Sequence, residues 1–157
     1  MMMPQERDEA AIPVDRMHRM HRRPGHLLRR AHQMHGALWA AQVSRDVTPT
    51  QFSALTVIAE NSGCDQAAVA REASLDTSTA GDVVFRMVKR GWVQIDRDPV
   101  DRRRNLLSLT DLGRDLYASV DRSAASMTTQ LVAKLSLEQR EQLIDLLQQL
   151  LGDDDLS

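Results

Sequence analysis

The sequence predicts a mainly α-helical fold that carries a small two-stranded β-wing. Three observations predict it. Apolar residues recur at three- and four-residue steps through most of the 157-residue chain. That period gives way once to strict alternation, in "WVQID" at 92–96 and "LLSLT" at 106–110. Aromatic residues make up only 3% of the chain, so the core must be built from Leu, Val, Ala and Met, which suits helices better than a β-sandwich.

Residues 1–23 read as a flexible arm: methionines and charges, then Pro4, Pro13 and Pro24-Gly25 at its end. A first helix follows within 24–47, with Leu27, Ala31, Met34, Leu38 and Ala41 as its apolar stripe. "TPTQ" at 48–51 opens the next: Thr48 can cap, Pro49 suits the first helical position, and Gln51 can complete a capping box. Phe52, Leu55, Ile58 and Ala59 form its inner face, and Asn61-Ser62-Gly63 ends it. Asp65 can cap a short helix over residues 66–73. Asp76 or Thr77 can cap another running to Arg90, with Val83, Val84, Met87 and Val88 inward and Gly91 at the stop. The two alternating runs place Val93 and Ile95, then Leu107 and Leu109, on one face. Residues 97–105 join them, long for a tight hairpin, so a projecting loop is expected. Thr110 or Asp111 caps a long helix through Leu112, Leu116 and Val120 towards Leu131. "SLEQ" at 136–139 is a second capping box. The last helix carries Leu137, Leu143, Ile144, Leu146, Leu147, Leu150 and Leu151, more apolar surface than a lone terminal helix can shield, so a partner chain is expected to cover it. Residues 152–157 form an acidic tail.

Bulk composition narrows the function. A 42% apolar, 27% charged chain is ordinary for one soluble domain. Cys64 is the sole cysteine, so no internal disulfide can form and a cytoplasmic location is expected. No apolar stretch can cross a membrane, and the N-terminus lacks the apolar segment of a secretion signal. The net charge is −2, but it is uneven. Residues 16–30 hold six arginines and no acid, whereas Lys134 and Arg140 face Glu138, Glu141, Asp145 and Asp153–Asp155 at the other end. Any nucleic-acid surface must be a local patch.

Helix, short helix, helix, then a hairpin with a basic tip is a winged helix-turn-helix. The helix after Asp76 would be the recognition helix. Thr77, Ser78 and Thr79 offer short hydroxyls in its first turn, and Arg86 lies two turns on. The hairpin tip "VDRRRN" carries Arg102, Arg103 and Arg104, a fit for a narrow, negative minor groove. Asp98 and Asp101 could hold one guanidinium by a bidentate pair. Residues 76–104 carry seven cations against five acids, so moderate affinity with a clear salt dependence is expected. A second class stays open, a helical protein-interaction dimer whose wing is merely solvated.

The stretch "DRDPVDRRRNLLSLTDLG", 96–113, resembles the wing of the MarR family of bacterial transcription regulators, and "LDTSTAGDVVFRMVKRGWV", 75–93, resembles the recognition helix before it. The similarity spans about residues 26–150. It implies a homodimer in which the first and the last two helices interlock. The divisions then become residues 24–47 and 111–151 for dimerisation and 48–110 for DNA binding. It implies two recognition helices in successive major grooves of a pseudo-palindromic operator on double-stranded DNA. The wing arginines, Arg103 foremost, would enter the minor groove with Asp101 orienting them; three arginines in a row leave open which one inserts.

All five histidines lie between residues 18 and 35. Leu28, His32, His35 and Trp39 share a helical stripe, with Arg29 beside it. A guanidinium, imidazoles and an indole could hold a flat aromatic carboxylate. "PGHLLRR" with His35 and Trp39, "DQ" at 65–66 and "LDTST" at 75–79 resembles the branch of the family that responds to phenolic and other aromatic acids. That resemblance implies Arg29 as carboxylate anchor and His35 as a ring or carboxylate contact. Two other triggers are weighed. His32 and His35 are spaced to share a metal ion, but no acid lies between Asp15 and Asp46, and neighbouring arginines would repel a cation. A redox switch would need Cys64, whose neighbour Asp65 raises its pKa. No cofactor is expected, and no glycine-rich phosphate loop or nucleophile arrangement points to an enzyme.

Overall fold

The computed structural model describes residues 20–152. Six helices and two strands follow in order: α1 (Pro24–Gln42), α2 (Pro49–Glu60), α3 (Gln66–Glu72), α4 (Thr77–Lys89), β1 (Val93–Arg97), β2 (Asn105–Leu109), α5 (Asp111–Leu131) and α6 (Leu137–Leu151). The arm at 1–19 and Asp153–Asp155 of the tail lie outside the described residues. The chain forms two compact units, residues 1–36 and 37–157, and α1 runs across their boundary.

Side-chain caps set the helix starts. Thr48 and Gln51 close the capping box of α2 in both directions, at 3.1 and 3.0 Å. Asp65 accepts from the Ala68 N–H, Asp76 from Thr79, Thr110 from Gly113 and Ser136 from Gln139. Each satisfies one amide that the first helical turn leaves without a backbone partner, worth about 1 kcal/mol. Gly91, at φ +73°, turns the chain out of α4 in a conformation that side chains disfavour.

In the second unit α2 packs on α3, α4, α5 and β2 around one core. Leu55, Ile58, Val69, Met87, Leu107 and Met127 are fully buried there. Trp39 and Val47, and Val120, Ala124 and Met127 of α5, belong to the same cluster. The core thus draws on residues on both sides of positions 47/48 and 110/111. Burial also differs from the expected stripes in two places. On α1, Leu27, Ala31, Met34 and Ala41 are exposed and only Leu38 rests on the core. On α5, Leu112 is exposed, while Val120, Ala124 and Met127 face inward.

The wing is an antiparallel pair with Val93 opposite Leu109 and Ile95 opposite Leu107. Each strand starts or ends one residue from the expected alternating run, and residues 98–104 form the tip. Ile95 shares the inner face but is exposed, because it lies further out along the hairpin than Val93. A third, single-residue strand was not legible in the sequence. Cys64 pairs with Leu107, with the Leu107 N–H donating to the Cys64 carbonyl and Gly63 N–H to the Leu107 carbonyl, both at 2.8 Å. One residue carries no period, so no pattern announces it.

The start of α5 locks the wing to the helices. The Thr110 hydroxyl donates to the Gly91 carbonyl at 2.6 Å and accepts from Gly113 N–H at 3.0 Å. The Trp92 carbonyl lies so close that a Cβ on Gly113 would run into it. "TDLG" therefore needs its glycine for space.

Candidate nucleic-acid interface and effector helix

The core faces of α4 and of the wing are fixed, which leaves their outer faces to be read. On α4, Ala80, Val83, Val84 and Met87 are buried. At about 100° per residue the opposite stripe is Ser78, Asp82, Phe85 and Lys89, with Thr77 and Arg86 flanking it. All six are exposed. Three residues of that stripe (Asp82, Phe85 and Lys89) were not among those singled out from the sequence, although the helical wheel alone would have found them.

The three hydroxyls at the start of α4 are not equivalent. Thr79 is half-buried; its hydroxyl donates to Asp76 at 2.5 Å while its N–H donates to the same carboxylate at 2.9 Å. These bonds, the hydroxyl first, lower the Asp76 pKa below the usual carboxylate value. Thr79 thus serves the cap with its proton. Thr77 and Ser78 are the two exposed hydroxyl-bearing residues of the turn.

Behind the C-terminal half of α4 lies a cleft of about 320 Å³ lined by Arg45, Arg86, Lys89 and Arg90 among others. Arg90 is anchored there. It donates to the Asp46 carbonyl at 3.0 Å and lies 4.9 Å from the Trp92 ring centre, a cation–π contact. Arg45, Arg86 and Lys89 make no ion pair among the described residues.

The wing tip is organised by its acids, but not as expected. Asp98 accepts from the backbone N–H groups of Val100 and Asp101 at 2.8 and 3.2 Å, bonds that lower its pKa. Asp101 accepts from the Arg103 N–H at 3.0 Å. Neither carboxylate grips a guanidinium in a bidentate pair, because short acids in a tight turn reach the local amides first. The guanidinium grip comes from 39 residues upstream. Arg104 donates to Asp65 at 2.9 Å, the same carboxylate that caps α3. The Ala68 N–H first, then Arg104, hold the Asp65 pKa below the usual range, and the Arg104 pKa is raised in return. Arg97 braces the tip by donating to the Arg102 carbonyl at 3.0 Å. Arg102 and Arg103 remain exposed, with guanidinium groups that have no partner among the described residues. The latch removes Arg104 from the three arginines free to reach outward.

Cys64 is half-buried beneath this latch. Burial first, and then the Asp65 charge, push its thiol pKa up, which keeps it protonated and unreactive.

On α1, Arg29 donates to Gln33 Oε1 at 3.1 Å and lies 3.4 Å from His26 Nδ1. No carboxylate neutralises it among the described residues. Desolvation, then the charge of Arg29, lowers the His26 pKa. His32 is exposed and His35 half-buried. Trp39 departs from the expected ligand stripe. It is only 5% exposed, its indole N–H donates to the Val47 carbonyl at 2.7 Å, and its ring contacts Phe52. The aromatic surface is used in the core because the chain bends back after α1 and brings Val47 under the indole. No cluster of three or more metal-binding side chains exists among the described residues, and no described helix is long and apolar enough to cross a membrane.

A reading helix, a braced cationic wing and a shared core define a winged helix-turn-helix regulator of the DNA-binding kind. The profile described as the MarR family matches residues 45–104. The transcriptional regulator PcaV of Streptomyces coelicolor, solved in complex with its natural ligand, superposes with a TM-score of 0.81 at 34% identity, over 85% of this chain and 94% of that one. BpsR of Bordetella bronchiseptica, whose DNA binding is regulated by 6-hydroxynicotinic acid, superposes with a TM-score of 0.73 at 30% identity, over 80% of this chain and 96% of that one. The transcriptional repressor NicR of Pseudomonas putida is 29% identical over 132 residues, 83% of this chain and 84% of that protein. The chain belongs to the MarR family, and it is a DNA-binding transcriptional regulator and not an enzyme.

Proposed function

We propose that two copies of this chain hold a pseudo-palindromic operator and that a small aromatic carboxylate releases it. The observation that carries the DNA half is the wing: Arg102 and Arg103 project without partners from a tip braced by Asp98, Asp101, Arg97 and the Arg104–Asp65 latch. The braced backbone confines the ordering cost to the two side chains, and guanidinium groups without a partner break no ion pair on entering a minor groove. Thr77 and Ser78 meet phosphates or base edges from the first turn of α4, and Arg86 a phosphate from its flank. Thr79 acts through the cap, and Asp101 orients the tip through its backbone. The dimer is supported by α6, where no residue is buried and seven are Leu or Ile. A second copy would cover that face.

The effector half rests on Arg29. Its charge is held by neutral acceptors, Gln33 and His26, so a carboxylate gains a full ion pair on arrival. His32 and His35 follow at helical spacing and supply donors for ring substituents. Trp39 is committed to the core, its indole N–H donating to the Val47 carbonyl. 6-Hydroxynicotinic acid, named for BpsR, has this chemistry: a flat ring bearing one carboxylate.

The test is fluorescence anisotropy on the promoter adjoining the protein's own gene. Arg103→Ala should weaken binding and reduce the salt slope by about one. Arg29→Ala should leave DNA affinity unchanged but blunt release by 6-hydroxynicotinate or benzoates. No specific binding even at low salt would favour an interaction dimer. A variant at Arg29 that releases DNA like wild type would remove the anchor.

A further inference from the structure

Phe85 is 66% exposed at the centre of the outer stripe of α4, an expensive place for a large apolar ring. Its stripe neighbours narrow what can lie opposite. Asp82, one turn earlier, repels phosphates and accepts only from donors such as the exocyclic amines of cytosine or adenine. Lys89, one turn later, and Arg86 on the flank suit phosphates at the groove wall. A carboxylate and a phenyl ring side by side, rimmed by cations, match the floor of a major groove. There, alongside ring-nitrogen and carbonyl acceptors, the exocyclic amines and the 5-methyl of thymine are presented. Gly81 and Ser78 in the preceding turns add little bulk, so the ring stands clear of its own helix.

We propose that Phe85 is a base-reading residue, packing its ring on the 5-methyl group of a thymine in each half-site. The proposal rests on the reading that α4 enters the major groove. No hydrogen bond is involved. Discrimination comes from burying one methyl against the ring, worth about fourfold in affinity per half-site.

The test uses the full chain and a duplex enriched from a random-sequence pool by the wild-type protein. Each conserved thymine is replaced in turn by uracil, which lacks the methyl and leaves pairing unchanged. Wild type should lose about fourfold at one position per half-site. Phe85→Ala should bind the thymine duplex as weakly as wild type binds the uracil one and should not distinguish the two. Phe85→Leu should recover part of the preference. Both variants should melt and sediment like wild type, because the ring lies outside the core. Equal wild-type affinity for both duplexes, an unchanged thymine preference in Phe85→Ala, or an altered oligomeric state with unaltered DNA binding would overturn the assignment. Failure to enrich any duplex would instead overturn the groove reading beneath it.

Discussion

Helices α4 and α6 are of similar length, and both carry an apolar stripe. On α4 the stripe is matched within the chain: Ala80, Val83, Val84 and Met87 close on α2, α3 and β1. On α6 the stripe is larger and none of it is buried among the described residues; Leu137, Leu146, Leu150 and Leu151 are among the most exposed apolar residues described. The two helices show that amphipathicity alone does not say where a partner comes from. A stripe completed inside the chain fixes the fold, and one left open is where the proposed second copy would pack.

The same substitution should separate the two roles. Val84→Asp places an unpaired charge in the α4 core and should cost about 4 kcal/mol or more, enough to unfold the protein, as seen by circular dichroism. Gly113→Ala should follow at about 3 kcal/mol, because the added carbon meets the Trp92 carbonyl and not a flexible side chain; a thermal melt measures it. Leu147→Asp on α6 should leave the helical spectrum of the second unit but shift sedimentation from dimer to monomer. If it unfolds the chain as Val84→Asp does, the contrast between the helices fails. Asp65→Asn should have the smallest effect, up to about fivefold in DNA affinity, since an exposed ion pair contributes at most about 1 kcal/mol and asparagine still caps α3. The same latch gives a pH signature. The folded Asp65 pKa is lowered, so its stabilising contribution is complete above the usual carboxylate value and is lost as pH falls through the lowered one. The Ala68 amide, which Asp65 caps, should shift in NMR spectra over that acid range in wild type and not in Asp65→Asn, whereas the tip amides held by Asp98 should shift in both.

Much of the architecture was legible because it is local. Thr48, Asp65, Asp76, Thr110 and Ser136 cap the helices that their neighbours in sequence announce, and both wing strands fall within one residue of the alternating runs. What escaped is long-range. The Cys64–Leu107 bridge joins residues 43 apart through one backbone pair. Arg104 finds Asp65 across the fold instead of the acids beside it. Trp39 sits at the spacing of a ligand stripe, yet the bend at 43–47 turns its ring inward. Thr79 matches Thr77 and Ser78 in chemistry, and only its hydrogen bond to Asp76 sets it apart. On the outer face of α4, the helical period that buries Val84 also exposes Phe85.

Thr110 sits where three movements would otherwise be independent. Its one oxygen grips the exit of the reading helix at Gly91, the root of the wing and the first turn of the long helix α5. Tilting α5 would therefore carry the helix and the finger with it, like two blades on one rivet.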